Sequence, residues 1–196
     1  MDIRKLFSLE GRVALVTGAT HGLGMAVATA LAGAGATLAV NGHSADRLDK
    51  ALKTYENKGI DAKGYLFDVT DEQAVAEGVA RIEREAGPID ILVNNAGIIK
   101  RIPALEMTLP EWNEVIATDL TSPFLMSRAV AAGMIRRGHG KIVNMCSMMS
   151  EVGRSSVTAY AAAKGGLKML TKNLATEWAK HNIQVNGIGP GYFATE

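Results

Sequence analysis

Tyr160 and Lys164 stand four residues apart in the run VTAYAAAKGGL, Val157 to Leu167. Residues at i and i+4 share one face of a helix, and the alanines between them favour that helix. A free phenol has a pKa of about 10 and is nearly inert as an acid or base at neutral pH. A cation within about 4–6 Å favours the phenolate, which makes a phenol a usable proton donor and acceptor. Alone the pair is a weak signal, because most such neighbours are solvated. Ser147 changes the context. It closes the apolar run GKIVNMCS (Gly140–Ser147), where its hydroxyl could hold the oxygen of a substrate.

A second group of residues suits an anion. In TGATHGLG, Gly18, Gly22 and Gly24 follow the apolar run RVALVTG and open an alanine-rich segment. Glycine permits a tight turn and close backbone approach to a pyrophosphate, and a helix N-terminus supplies free N–H groups. The spacing G-x-x-x-G-x-G differs from the G-x-G-x-x-G dinucleotide fingerprint. The next apolar run ends in VNGHS, with no acid at Asn41, Gly42 or His43. An acid there would bind the ribose 2′-OH of NAD and repel a 2′-phosphate. His21 and His43 could both face that phosphate, with Arg47 one turn on. The reading favours NADP, with NAD as the alternative.

These groups need elements to hold them, and the sequence alternates. Short apolar runs at Arg12–Gly18, Ala36–Asn41, Lys63–Val69, Ile89–Gly97, Gly140–Ser147 and from Ile183 to Gly191 read as buried parallel strands. Helical segments lie between them: Gly22–Ala34, Ala45–Gly59, a stretch to Gly87, Leu109–Arg137 and Ala159–His181. Ser44 and either Thr70 or Asp71 are candidate N-caps. The pattern predicts an α/β fold: a doubly wound, Rossmann-like parallel sheet of six strands with helices on both faces, in a single domain over residues 1–196. Ligands bind such a sheet outside the carboxyl ends of its strands. The glycine turn and Ser147 both fall there.

Taken together, the glycine turn, NNAG (Asn94–Gly97), Ser147, Tyr160, Lys164 and PGYFAT (Pro190–Thr195) resemble the short-chain dehydrogenase/reductase family over nearly the whole chain. The resemblance implies an NAD(P)-dependent oxidoreductase acting on CH–OH groups. It implies a catalytic Ser147, Tyr160 and Lys164, the lysine also holding the ribose hydroxyls. It implies cofactor contacts from the glycine motif, at Gly18, Thr20, His21, Gly22, Leu23 and Gly24, to which the residue reading above adds His43. Further contacts fall at Asp68 and Val69 by the adenine, at Asn95, Ala96 and Gly97, and at Pro190 and Thr195 by the nicotinamide.

Two departures stand out. Where the family carries a catalytic asparagine, this chain has Asp119. Pro123 lies four residues on and lacks an N–H, so it leaves the carbonyl of residue 119 free and kinks the helix. The expectation is a water relay at that carbonyl, with the Asp119 carboxylate as an extra proton acceptor. The chain also stops at GYFATE, where the family usually continues with a substrate-covering lobe and a further strand; a partial record of a longer chain is the favoured reading.

After Ser147 the chain reads MMSEVGR, which places Ser150, Glu151 and Arg154 in the loop expected to face substrate. Arg154 could hold a carboxylate and Glu151 a sugar hydroxyl. Lys100 and Arg101 could form a second cationic wall. CSMMSE with GPGYFATE looks like the gluconate 5-dehydrogenase branch of the family, so a sugar acid is the expected substrate. The 2-deoxy-gluconate 3-dehydrogenase and 3-ketoacyl-carrier-protein reductase branches are the alternatives. From another class, the rival is a non-catalytic cofactor-binding regulator, against which the intact Ser147, Tyr160 and Lys164 argue.

Lys plus Arg number 21 against 20 Asp plus Glu, which gives no nucleic-acid footprint. Cys146 is the only cysteine, so no internal disulfide forms, and it reads as a buried small residue. Met145, Met148 and Met149 read as core or pocket wall. The four histidines lack metal-ligand spacing. MIRRGHGK (Met134–Lys141) reads as a solvated helix end with favourable positive charge. The start MDIRKLFSLEG lacks an apolar h-region, and the uncharged run Met25–Val40 is shorter than the about 20 residues of a membrane span. The expectation is a cytoplasmic protein with no membrane partner. By the resemblance, it forms a homo-oligomer, a dimer or tetramer, through its two long helices.

Overall fold

The computed structural model describes residues 6–193. Six strands form one parallel sheet: β1 (Val13–Val16), β2 (Thr37–Gly42), β3 (Ala62–Leu66), β4 (Ile89–Asn94), β5 (Gly140–Met145) and β6 (Ile183–Ile188). Their order is β3-β2-β1-β4-β5-β6. Between them run α1 (Gly22–Gly33), α2 (Ala45–Asn57), α3 (Glu72–Glu85), α4 (Leu109–Ile116), α5 (Ser122–Arg137) and α6 (Thr158–Trp178). Strand order reverses between β1 and β4, so their carboxyl ends border a crevice.

Successive strand residues point to opposite faces, and both faces are buried. Val13 and Leu15 of β1 join the core that contains Ile82, Leu92, Met126, Met134 and Ile142. Ala14 and Val16 join the opposite core with Leu38, Val40, Tyr55 and Val93. This two-sided burial explains why the strands read as continuous apolar runs. β3 ends at Leu66, β4 at Asn94, β5 at Met145 and β6 at Ile188, short of the expected ends. The residues beyond them, Asp68 and Ser147 included, become loop and border the crevice.

The helix expected over 109–137 is interrupted. Residues Ala117–Thr121 form a π-helical segment, in which Ser122 N–H bonds Ala117 O five residues back. Pro123 follows at once, so the break falls where a missing N–H would weaken an α-helix. Asp71 caps α3 by accepting from Ala74 N–H at 2.9 Å, whereas Ser44 sits at the N-cap of α2 without a side-chain bond. The end of α5 is not simply solvated. Arg137 donates to Ile89 O at 2.6 Å and pairs with Glu83 at 3.6 Å, which ties the helix to β4 and α3.

Buried amides join the layers beneath the crevice. Asn94 Nδ2 donates to Asn144 Oδ1 at 2.8 Å and to Ser127 Oγ at 3.0 Å, and Asn144 Nδ2 donates to Thr171 Oγ1 at 2.9 Å. At the opposite strand ends, Asp90 is a staple. Its Oδ2 accepts from Val13 N–H at 3.0 Å, where the β1–β4 register shifts. Its Oδ1 meets Arg12 at 3.3 Å and His139 at 2.9 Å. Asp90→Ala leaves the Val13 N–H without an acceptor, a loss of about 2 kcal/mol. The expected fall in Tm is about 6 °C, read by thermal denaturation. An unchanged Tm would show that the carboxylate holds nothing.

Candidate active site

A cavity of about 810 Å³ opens at the carboxyl ends of the strands. One wall is the glycine turn. Gly18 and Gly22 have positive φ, +61° and +55°. A Cβ on Gly18 would stand 2.9 Å from Ala96 Cα, so the turn presses directly on the loop after β4. The first turn of α1 has no acidic residue, and its N-cap, His21, makes no side-chain bond to it. The free N–H groups of that turn therefore face the cavity with nothing of the chain's own to answer them, which suits an anion. Thr20, His21, Gly22, Leu23 and Gly24 line this part.

The loop after β4 is fastened to the turn by a reciprocal set of bonds. Thr17 Oγ1 accepts from Asn95 N–H at 3.0 Å and Ala96 N–H at 3.1 Å. Asn95 Nδ2 donates to Thr17 O at 3.0 Å and Gly18 O at 3.1 Å. Asn95, Ala96 and Gly97 all line the cavity, but the Asn95 amide nitrogen is already bonded to the turn. From the other side Tyr55 Oη donates to Ala19 O at 2.8 Å. Burial pushes that phenol's pKa up, so it stays a neutral donor.

His43 and Arg47 border the cavity beside His21. A Cβ on Gly42 would meet Thr20 Cγ2 at 2.8 Å, so Gly42 lets the end of β2 lie close to the glycine turn, and no acid of the kind NAD binding would favour stands at 41–43. Asp68 and Val69 line the same end, with Asp68 Oδ1 accepting from Thr70 N–H and Thr70 Oγ1, each at 2.8 Å. These features fit a dinucleotide carrying an extra phosphate.

Ser147, Tyr160, Lys164 and Asp119 all line the same cavity. Ser147 Oγ accepts from Met149 N–H at 3.1 Å. The Lys164 ammonium is 5.5 Å from the Tyr160 ring centroid and donates to Met145 O at 2.9 Å. Asp119 is not a solvated helix residue: it is fully buried. Its Oδ1 accepts from Ile98 N–H at 2.8 Å, and its Oδ2 lies 3.1 Å from Lys164 Nζ. That approach is off the hydrogen-bond direction, which makes it a charge contact. Burial pushes the Asp119 carboxyl above its ordinary pKa, and Lys164 draws it part of the way back. Burial likewise raises the Cys146 thiol, so it is not a poised thiolate.

At the rim, Pro190 O accepts from Met148 N–H at 3.3 Å, and Tyr192 and Phe193 border the opening. Thr195 lies outside the described residues. Arg154 Nη1 donates to Tyr192 Oη at 3.0 Å and lies over that ring at 5.7 Å. Glu151 pairs with Lys168, and Lys100 pairs with Glu114. Neither Glu151 nor Arg154 lines the cavity itself, whereas Glu114 does.

The family model for short chain dehydrogenases matches residues 12–196. The chain belongs to that family. It is 62% identical over 191 residues to the 2-dehydro-3-deoxy-D-gluconate 5-dehydrogenase of Formosa agariphila, covering 97% of this chain and 72% of the relative. It is 50% identical to the gluconate 5-dehydrogenase of Gluconobacter oxydans, covering 97% and 75%. Among solved structures, a gluconate 5-dehydrogenase from Burkholderia cenocepacia in complex with NADP and tartrate matches with a TM-score of 0.91 and 40% identity, over 96% of this chain and 74% of that one. This short-chain dehydrogenase is thus an NAD(P)-dependent oxidoreductase acting on CH–OH groups. Among its described residues, no helix is long and apolar enough to cross a membrane.

Sequence reasoning passed over Tyr55 and found no bracing role for Thr17, within the glycine motif, or for Ser150, within the loop expected to face substrate. Thr17 and Tyr55 brace the glycine turn. Ser150 accepts from Ser147 N–H at 3.2 Å and donates to Lys164 O at 2.8 Å, so it ties the serine loop to α6. The spacing S-x-x-S was the available signal for Ser150. Tyr55 falls on the apolar stripe of α2 and reads as core.

Proposed function

We propose that this dehydrogenase transfers hydride between NADP(H) and C5 of a gluconate-type sugar acid. The reading rests on one observation: Ser147, Tyr160 and Lys164 line the same cavity as the anion cradle at the start of α1. The names of the relatives from Formosa agariphila and Gluconobacter oxydans point to the same position and substrate class.

Ser147 holds the substrate oxygen by a hydrogen bond. Tyr160 gives that oxygen a proton during reduction and takes it back during oxidation. The Lys164 ammonium stabilises negative charge on the neighbouring oxygens and donates to ribose hydroxyls. The first turn of α1 holds the pyrophosphate, and Asp68 and Val69 meet the adenine. His21, His43 and Arg47 receive the 2′-phosphate. A bound nicotinamide supplies or accepts the hydride. Arg154, held at the rim by Tyr192, meets the substrate carboxylate.

The test is the near-ultraviolet absorbance of the reduced cofactor. NADPH should be consumed with 5-keto-D-gluconate, and NADP reduced with D-gluconate or 2-dehydro-3-deoxy-D-gluconate. NADPH should exceed NADH by about tenfold in kcat/KM, the weight of one charged hydrogen bond. Cofactor binding without turnover of any sugar acid would overturn the reading.

A further inference from the structure

Asp119 and Lys164 form a deeply buried ion pair at the cavity wall. Their side chains are 0% and 6% exposed, and their charged atoms lie 3.1 Å apart. Each partner has a second anchor: Ile98 N–H donates to Asp119 Oδ1, and Lys164 Nζ donates to Met145 O. Gly97 leaves the room in which they meet. A Cβ there would stand 2.9 Å from Asp119 Oδ2 and 3.5 Å from Lys164 Nζ. A carboxamide at position 119 would satisfy Ile98 N–H equally well. What the carboxylate adds is charge.

We propose that Asp119 is a positioning residue, the fixed counter-ion that holds the Lys164 ammonium at the cavity wall and tempers its charge beside Tyr160. The proposal deepens the hydride-transfer reading and rests on it for its catalytic consequence alone. A buried charge is costly unless it is paired, and removing one partner of a buried pair costs far more than removing both. The other ionisable groups facing this place are few. α6 contributes Tyr160, the end of β5 contributes the Cys146 thiol, and the helix of Asp119 contributes Glu114, which Lys100 already neutralises. From the loop after β4 come backbone groups only, at Gly97 and Ile98. No other cation among the described residues pairs with Asp119.

The experiment is a thermal-stability cycle on the full chain with Lys164→Met, Asp119→Asn and both together. Lys164→Met strands a buried carboxylate. That carboxyl, its pKa raised by burial, is stable while protonated and loses that advantage as pH rises through its folded-state value. The Lys164→Met variant should therefore fall behind the wild type by about 5–10 °C between about pH 5 and about pH 8. Adding Asp119→Asn should recover most of that deficit and remove its pH dependence. A double variant no more stable than Lys164→Met overturns the proposal, as does a deficit indifferent to pH. Neither readout needs a substrate, so failure of the sugar-acid assay leaves this test intact. In the Asp119→Asn single variant the ammonium is uncompensated, and the rising limb of alcohol oxidation should move about one pH unit toward acid. An unmoved limb, or one displaced toward alkali, overturns the tempering role.

Discussion

Tyr160→Phe is expected to lower kcat about 10³-fold, within the range that general acid–base catalysis contributes. NADP affinity should change by no more than about twofold, which is under 0.5 kcal/mol. The substitution removes one oxygen and nothing else. The Tyr160 ring packs against Val115, Ala159 and Ala163, and a phenylalanine keeps that packing. The Lys164 ammonium keeps its bond to Met145 O and its contact with Asp119, neither of which involves the phenol oxygen. The cofactor cradle at α1 is made by other residues of the same cavity. The loss should therefore fall on turnover alone, with Tm unchanged. Steady-state rates and the fluorescence of bound NADPH read the two quantities separately. A variant retaining more than about a tenth of the activity would move the proton to another group. An equal loss of cofactor binding would make the phenol a binding group instead.

Much of this site was legible because its parts sit at element ends. An apolar run that stops at glycines announces both a buried strand and the turn after it, so the sequence alone places Gly18, Gly22 and Gly24. Tyr160 and Lys164 were legible as a pair because one helical turn joins them. What stayed hidden depends on long-range approach. Asp119 and Lys164 are far apart in the chain, and only the packing of the π-helical segment against α6 makes them an ion pair. Pro123 marked the break in the helix, but nothing local says that Ala117–Thr121 adopts the wider turn. Glu151 and Lys100 looked free in sequence, yet each is neutralised by a partner on another element. Spacing reports which side chains share a face; it cannot report which charges are already spent.

Gly24→Ala is expected to weaken NADP binding by at least about a hundredfold, because the methyl has no space and its neighbours cannot yield. A Cβ at this helix position would fall 2.4 Å from Asn95 Nδ2, 2.5 Å from Gly18 O and 3.1 Å from Ala19 Cα. Alanine is otherwise the better helix former, by about 1 kcal/mol over glycine, so a loss cannot come from propensity. The atoms it meets are the ones that fasten the glycine turn to the loop after β4. Asn95 Nδ2 bonds Thr17 O and Gly18 O, and Gly18 presses on Ala96. To admit the methyl, either the Asn95 amide gives up both carbonyls or the turn moves away from the start of α1. Each route displaces the free N–H groups from the place where a pyrophosphate would sit. Gly33, at the other end of the same helix, is the control: a Cβ there meets nothing within 4 Å. Gly33→Ala should leave cofactor affinity unchanged while Gly24→Ala abolishes saturation at accessible concentrations. Titration of both variants with NADPH decides it. Equal affinities would mean that the turn adapts, and that the close approach of Gly18, Gly24 and Asn95 does not shape the cradle.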